Sequence, residues 1–105
     1  MENMLLGHIP THPGEIIKDE LIERRIQQKV LAEQMGMSYK VLNDILNGRR
    51  PVSTETALMF EAALNIPATA LLKLQMKYNI QMAEQNVDLM KRLASIRKMV
   101  ASVAI

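Results

Sequence analysis

The chain of 105 residues contains no cysteine and no tryptophan, and aromatic residues make up only 3% of it. Because cysteine is absent, the chain can form neither a disulfide nor a cysteine-ligated zinc site, which fits a reducing cytoplasm. No apolar run reaches the roughly 18 residues that a membrane-spanning helix needs. Residues 1–15 have neither the basic start nor the long apolar stretch of a signal peptide. We therefore expect one small cytoplasmic domain with no membrane partner.

The residues that catalysis or metal binding would need are also scarce. The two histidines, His8 and His12, lie near Glu15 in the sequence. Pro10 and Pro13 oppose the helix that would bring these three side chains together. We therefore expect no metal site and no cofactor, and we interpret His12 as a residue that begins a helix. The chain has no Gly-rich phosphate loop and no nucleophile–base pair, so we do not expect an enzyme.

Apolar residues recur at helical spacing along most of the chain, and few stretches alternate with the period of a strand. We expect an all-α fold in three parts, namely an N-terminal arm (1–12), one helical domain (13–80) and a C-terminal helix (81–105). The predicted helices are, in order, about 13–25, 28–35, 38–47, 54–64, from 67 to about 79 or beyond, and a last one from about 86. We expect the first helix to bury Ile16, Ile17, Leu21 and Ile26.

Residues 28–47 have the pattern of a helix-turn-helix. Ala32 is small enough for a second helix to cross closely, and Gly36 permits the sharp reversal between the two helices. Ser38 is a good N-cap for the second helix. We expect that helix to bury Val41, Leu42, Ile45 and Leu46 and to display Tyr39, Lys40, Asn43, Asp44 and Asn47. Outward Tyr, Lys and Asn side chains are suited to contacting base edges in the major groove of DNA, and the alternative is a solvated helix face.

The chemistry of these side chains suggests how each would meet DNA. Lys40 can donate to guanine, and Asn43 can pair with adenine. Asp44 can accept from cytosine N4, form a salt bridge with a neighbouring basic group, or disfavour wrong sites. Arg49 and Arg50 follow the second helix of this helix-turn-helix, and we expect them to contact phosphates or the minor groove rather than solvent alone.

The net charge of +2 is modest, but its distribution is uneven. Residues 26–51 carry four basic and two acidic groups, net +2, whereas residues 1–25 carry three basic and five acidic groups, net −2. Such local clusters attract phosphates more than total charge does. A monomer this weakly charged would bind DNA poorly, which favours a homodimer on two half-sites.

The segment from residue 86 onward has a different pattern. Leu89, Leu93, Ile96, Val100 and Val103 follow one another at spacings of 4, 3, 4 and 3 residues, which is an a/d seam. The seam is either a dimer interface or a stripe docked on the chain's own core. We favour dimerisation, because it would remove from water an apolar surface that a five-helix core does not need. The predicted dimer interface consists of Leu74, Tyr78, Met82, Leu89, Leu93, Ile96 and Val100.

The order Gln28, Leu31-Ala32, Gly36 and Asn47-Gly48-Arg49-Arg50-Pro51 resembles the Xre/Cro-type repressor domain. Three further segments, His12–Ile17, Ser53–Ala57 and Leu71–Ile80, are similar to those of the HigA/VapI-type antitoxins of bacterial addiction modules. The resemblance covers about residues 8–85. It implies a lambda-repressor-like domain of five to six helices with a C-terminal helical extension.

The resemblance also implies a function. A member of this family would be a dimeric repressor in the bacterial cytoplasm, bound to operator DNA at its own promoter and neutralising a HigB-like mRNA-cleaving toxin. Gln28 would donate to a DNA phosphate, and Ser38 would either do the same or only cap its own helix. The predicted DNA-binding residues are therefore Gln28, Ser38, Tyr39, Lys40, Asn43, Asp44, Asn47, Arg49 and Arg50. The alternative is a stand-alone Xre-family transcriptional regulator without a toxin partner.

Overall fold

A computed structural model of the protein describes residues 10–103. Within this range the chain forms six helices and no strand, which confirms the predicted all-α fold. The helices are α1 (Pro13–Arg24), α2 (Gln28–Met35), α3 (Tyr39–Leu46), α4 (Thr54–Leu64), α5 (Ala68–Ala83) and α6 (Val87–Val103). Residues 1–9 of the predicted arm and the last two residues of the predicted C-terminal helix lie outside the described residues. Residues 10–12 are not helical.

Local capping explains where these helices begin and end. The Ser38 hydroxyl accepts a hydrogen bond from the Val41 N–H at 3.1 Å, and the Ser53 hydroxyl accepts one from the Thr56 N–H at 3.1 Å. Each bond satisfies a backbone donor that has no partner within the helix. Gly36 ends α2 in the left-handed conformation, with φ of 68°, which a residue without Cβ adopts at no steric cost. The predicted turn of the helix-turn-helix is thus confirmed.

The core lies among α1 to α5. Its buried apolar residues are Ile17, Leu21, Leu31, Ala32, Met35, Leu42, Ile45, Leu46, Val52, Ala57, Phe60, Leu64, Ala68 and Leu71. The prediction that α1 also buries Ile16 is wrong, because Ile17 and Leu21 define the inward face and Ile16 lies about 100° around the helix from Ile17. Ile26 and Val41 pack against this core but are only partly buried.

α1 crosses α3 closely at Gly14. A Cβ atom at this position would overlap the carbonyl oxygen of Ile45, so only glycine lets the two backbones approach this far. Near the other end of the crossing, Lys18 Nζ donates to Asn47 Oδ1 at 2.9 Å. α1 therefore contacts the C-terminal end of α3 at two points.

α6 buries none of its side chains. The described chain measures 58 × 31 × 22 Å with a radius of gyration of 17.9 Å, against about 13 Å for a compact chain of 100 residues. The seam residues Ile96 and Val100 are 49% and 60% exposed. The predicted seam is thus a largely open apolar stripe on a helix that extends from the core.

Candidate nucleic-acid interface

The outward side of α3 presents polar side chains in two successive turns. Tyr39 and Lys40 are exposed in the first turn, and Asn43 and Asp44 are partly buried one turn later. The sequence predicted this arrangement from helical spacing alone. It did not predict that Asn43 and Asp44 would be partly covered, because the groups that cover them come from α2 and from the loop after α3.

Asn43 connects α2, α3 and the arginine loop, which we define as residues 48–51. Asn43 Nδ2 donates to Gln28 Oε1 at 3.0 Å, and Asn43 Oδ1 accepts from Arg49 at 3.1 Å. Both polar ends of the Asn43 amide are therefore held in place, and the Gln28 amide nitrogen does not take part in this bond. Gln28 is the first residue of α2, whose N-cap, Gln27, makes no side-chain capping bond.

Asp44 lies among three basic side chains. Its carboxylate accepts from Lys40 Nζ at 3.2 Å and from Arg49 Nε at 3.1 Å, and an Arg50 guanidinium nitrogen lies 3.8 Å away. The hydrogen bond from Lys40, helped by Arg49, holds the pKa of the Asp44 carboxyl below its ordinary value, against a smaller opposing effect of desolvation. Of the three uses predicted for Asp44, the structure shows the salt bridge.

Ser38 and Asn47 stand at the two ends of α3. The Ser38 hydroxyl caps the helix through the Val41 N–H, which confirms the capping role weighed for it. Asn47 Nδ2 donates to the Asn43 carbonyl at 2.8 Å, and Asn47 Oδ1 accepts from Lys18. The sequence did not identify Lys18 as a neighbour of α3, because the contact depends on how α1 crosses α3.

His12 supports the arginine loop from below. It is the buried N-cap of α1, and its Nδ1 accepts from the Gly14 N–H at 2.9 Å. Its ring stands edge-on to Tyr78 at 4.9 Å between centroids and lies beneath Gly48, whose φ is 75°. Burial lowers the pKa of His12, and this outweighs the raising effects of the Glu15 charge and a hydrogen bond to the Arg50 backbone. A neutral imidazole thus connects α1, α5 and this loop.

Gln75 fixes the downstream end of the same loop. Its buried side chain accepts from the Val52 N–H at 2.8 Å through Oε1 and donates to Asn79 Oδ1 at 2.9 Å. Gln75 was not among the site residues predicted from the sequence. Its position in the sequence could have indicated that it is buried. Gln75 lies four residues after Leu71 and three before Tyr78, on the inward side of α5.

The residues predicted for the dimer interface do not share one environment. Leu74, Tyr78, Leu89 and Leu93 are partly buried, whereas Met82, Ile96 and Val100 are exposed. Tyr78 already has a contact within its own chain, the His12 ring. The open part of the predicted interface therefore lies mostly in the second half of α6.

Two kinds of feature are absent from residues 10–103. No group of three or more His, Cys, Asp or Glu side chains is placed to hold a metal ion. None of the helices in this range is long and apolar enough to cross a membrane.

Comparison with known proteins identifies the fold. Residues 17–71 match the helix-turn-helix family. Virulence-associated protein I of Dichelobacter nodosus is 30% identical over 76 residues, which cover 71% of this chain and 70% of that protein. The antitoxin HigA of Pseudomonas aeruginosa, solved with the higBA promoter, is 33% identical with a TM-score of 0.67, over 70% of this chain and 82% of its own. An addiction module antidote protein of the HigA family from Coxiella burnetii is 32% identical with a TM-score of 0.68, over 85% of this chain and 92% of its own.

The family match begins within α1 and ends within α5, so it includes the turn at Gly36, all of α3 and the arginine loop. Two of these relatives are an antitoxin and an antidote protein of the HigA type, and the third is named virulence-associated protein I. The chain belongs to the helix-turn-helix family, in its branch of HigA- and VapI-type antitoxins.

Proposed function

We propose that this protein is a sequence-specific DNA-binding repressor that acts as the antitoxin of a bacterial toxin–antitoxin module. The observation that carries the proposal is the outward face of α3, where Lys40 and the Gln28–Asn43 pair lie on a helix-turn-helix. The similar HigA antitoxin was solved with promoter DNA, which supports DNA binding by this chain.

In this proposal α3 enters the major groove of operator DNA. Lys40 donates to guanine, and Asn43 pairs with adenine while Gln28 holds its amide in the required orientation. The amide nitrogen of Gln28, which takes no part in its bond to Asn43, donates to a phosphate near the N-terminus of α2. Tyr39 lies beside Lys40 in the first turn and completes this face.

Contacts to the DNA backbone flank the base contacts. Arg49 and Arg50 are exposed on a loop that His12 and Gln75 hold in place, so their guanidinium groups can meet phosphates. The Ser38 oxygen accepts its capping bond, which leaves the hydroxyl proton available to a phosphate. Asn47, at the far end of α3, is exposed on the same side.

We further propose that the protein acts as a homodimer through α6 and the adjoining part of α5. Two copies would bury the open seam formed by Leu89, Leu93, Ile96 and Val100, with Leu74, Tyr78 and Met82 at its start. Pairing would also double the positive charge that one chain presents to DNA, which compensates for the weak charge of the monomer.

The proposed toxin partner is a HigB-like mRNA-cleaving protein, and the support for it is the similarity to HigA-type antitoxins. A co-expression experiment tests this part. The product of the neighbouring small reading frame should co-purify with the protein on size exclusion, and the protein should relieve the growth arrest that this product causes. A chain that binds its operator but finds no such partner would be a stand-alone regulator.

Gel-shift titration tests the DNA-binding part. The duplex lies upstream of the protein's own reading frame, and the competitor is a scrambled duplex of equal length. Asn43→Ala should lose about 1–3 kcal/mol of discrimination between the two duplexes. Gln28→Ala should weaken operator binding, whereas its matched control Gln34→Ala, on the same helix but at an exposed position, should not. Equal affinity of the wild type for operator and scrambled DNA would overturn the proposal.

A further inference from the structure

Asp44 is the one acidic side chain among the residues that we assign to the DNA surface. A carboxylate there opposes the approach of phosphates, so its presence calls for a physical reason. Each phosphate that a protein neutralises strengthens its binding to any DNA sequence. Asp44 acts against that general attraction.

The geometry shows which cations Asp44 affects. One carboxylate oxygen accepts from Lys40 Nζ, and the other accepts from Arg49 Nε, while Arg50 lies just beyond hydrogen-bond distance. The Asp44 side chain is only 14% exposed, whereas that of Lys40 is 82% exposed. The Asp44 carboxylate is therefore less exposed to solvent than the three basic side chains around it, and it contacts Lys40 and Arg49 on the side that faces the protein.

Folding stability gives little reason for this arrangement. The Lys40–Asp44 pair has the basic residue four positions before the acidic one, the weaker orientation for a helical pair. Ion pairs to exposed side chains contribute little to folding. None of these charged side chains belongs to the apolar core.

We propose that Asp44 is a specificity-determining residue, which holds Lys40 and Arg49 back from the phosphates of arbitrary DNA and releases them on the operator. Release needs a new partner for the carboxylate. In the major groove that partner is a base-edge amino donor, and cytosine N4 is the one that carboxylates typically contact. This inference rests on the proposed DNA-binding function, and it adds a position at which the operator is expected to present a cytosine amino group to α3.

Asp44→Asn removes the charge, keeps the shape and retains an oxygen that can accept from Arg49. The experiment measures the affinity of the full chain for operator and scrambled duplexes over a range of salt concentrations. The variant should bind scrambled DNA more tightly, and its salt dependence should steepen by about 0.9 for each additional phosphate contact. Its affinity for the operator should rise less or fall, so the ratio of the two affinities should decrease.

Glu61→Gln is the matched control, because it removes the same charge from an exposed position on α4. It should leave the ratio of affinities unchanged. Thermal unfolding should show that both variants fold, and Asp44→Ala should change the ratio in the same direction as Asp44→Asn.

The outcomes separate this inference from the proposed function. An unchanged or increased ratio in both Asp44 variants would overturn the inference while leaving DNA binding intact. A decrease that Glu61→Gln reproduces would also overturn it, because net charge alone would then be the cause. A wild type that does not distinguish operator from scrambled DNA would overturn the proposed function itself.

Discussion

α4 and α6 are helices of one short chain that both carry apolar residues at helical spacing, yet these residues are buried in α4 and exposed or partly buried in α6. α4 (Thr54–Leu64) buries Ala57, Phe60 and Leu64 in the core that α1 to α5 share. α6 (Val87–Val103) is six residues longer and buries none of its side chains. An apolar stripe at helical spacing therefore does not by itself determine which surface buries it. In α4 the partner is the same chain, and in our proposal the partner of α6 is a second copy.

The largest expected effect concerns the α4 side of this comparison. Phe60→Ala removes a fully buried ring and should lower the free energy of unfolding by about 3–5 kcal/mol. Leu58→Ala, at an exposed position of the same helix, should change it by less than about 0.5 kcal/mol. Urea denaturation followed by circular dichroism measures both values. Similar losses in the two variants would contradict the burial pattern described for α4.

The second prediction concerns α6. Ile96→Asp places a charge in the seam, and it should weaken dimerisation by about 2 kcal/mol or more. Sedimentation velocity should show the wild type as a dimer and the variant shifted to monomer at the same concentration. The core does not include Ile96, so helical content should persist.

Ser95→Asp is the control for this variant, because it introduces the same charge at an exposed α6 position next to the seam. It should remain dimeric. A dimer that survives Ile96→Asp would place the contact between copies elsewhere, and a wild type that is monomeric would remove the reason given for the open seam.

The smallest expected effect concerns His12, which joins the core to the arginine loop. Burial lowers its pKa in the folded state, so the unfolded chain takes up a proton first as the pH falls. Stability should therefore be complete above the ordinary histidine pKa of about 6.5 and decrease below it, by at most about 1.4 kcal/mol per pH unit. His12→Asn keeps a capping side chain and removes this titration. Denaturation midpoints of both proteins at pH 7.5 and 5.5 test the sign, and a wild type that gains stability relative to the variant at pH 5.5 would contradict it.

Sequence reasoning located the helices well where the determinants are local. Ser38 begins α3 as a cap, and Gly36 ends α2 with a positive φ, as their chemistry predicts. Periodicity identified the buried Ile17 and Leu21, but it did not separate Ile16 from them. The apolar stripe of a core-facing helix can be about 100° wide or more, and Ile16 lies about 100° from Ile17, at the limit of that width.

The candidate site was predictable as a set of side chains but not as a network. Lys40 and Asn43 follow from the pattern of α3. The bonds of Asn43 to Gln28 and Arg49 join three segments, and their geometry depends on how those segments pack. His12 and Gln75 were missed as supports of the arginine loop for the same reason, since their partners Arg50 and Val52 are distant in sequence.

The most direct test of the account is a hydroxyl-radical footprint of the wild-type protein on the DNA upstream of its own reading frame. Two copies joined through α6, each with α3 in the major groove, predict two protected patches with centres about one helical turn apart, or a simple multiple of that distance. Ile96→Asp should lose the paired pattern at concentrations where the wild type retains it. A single isolated patch, or uniform protection along the duplex, would contradict a homodimer that recognises two half-sites.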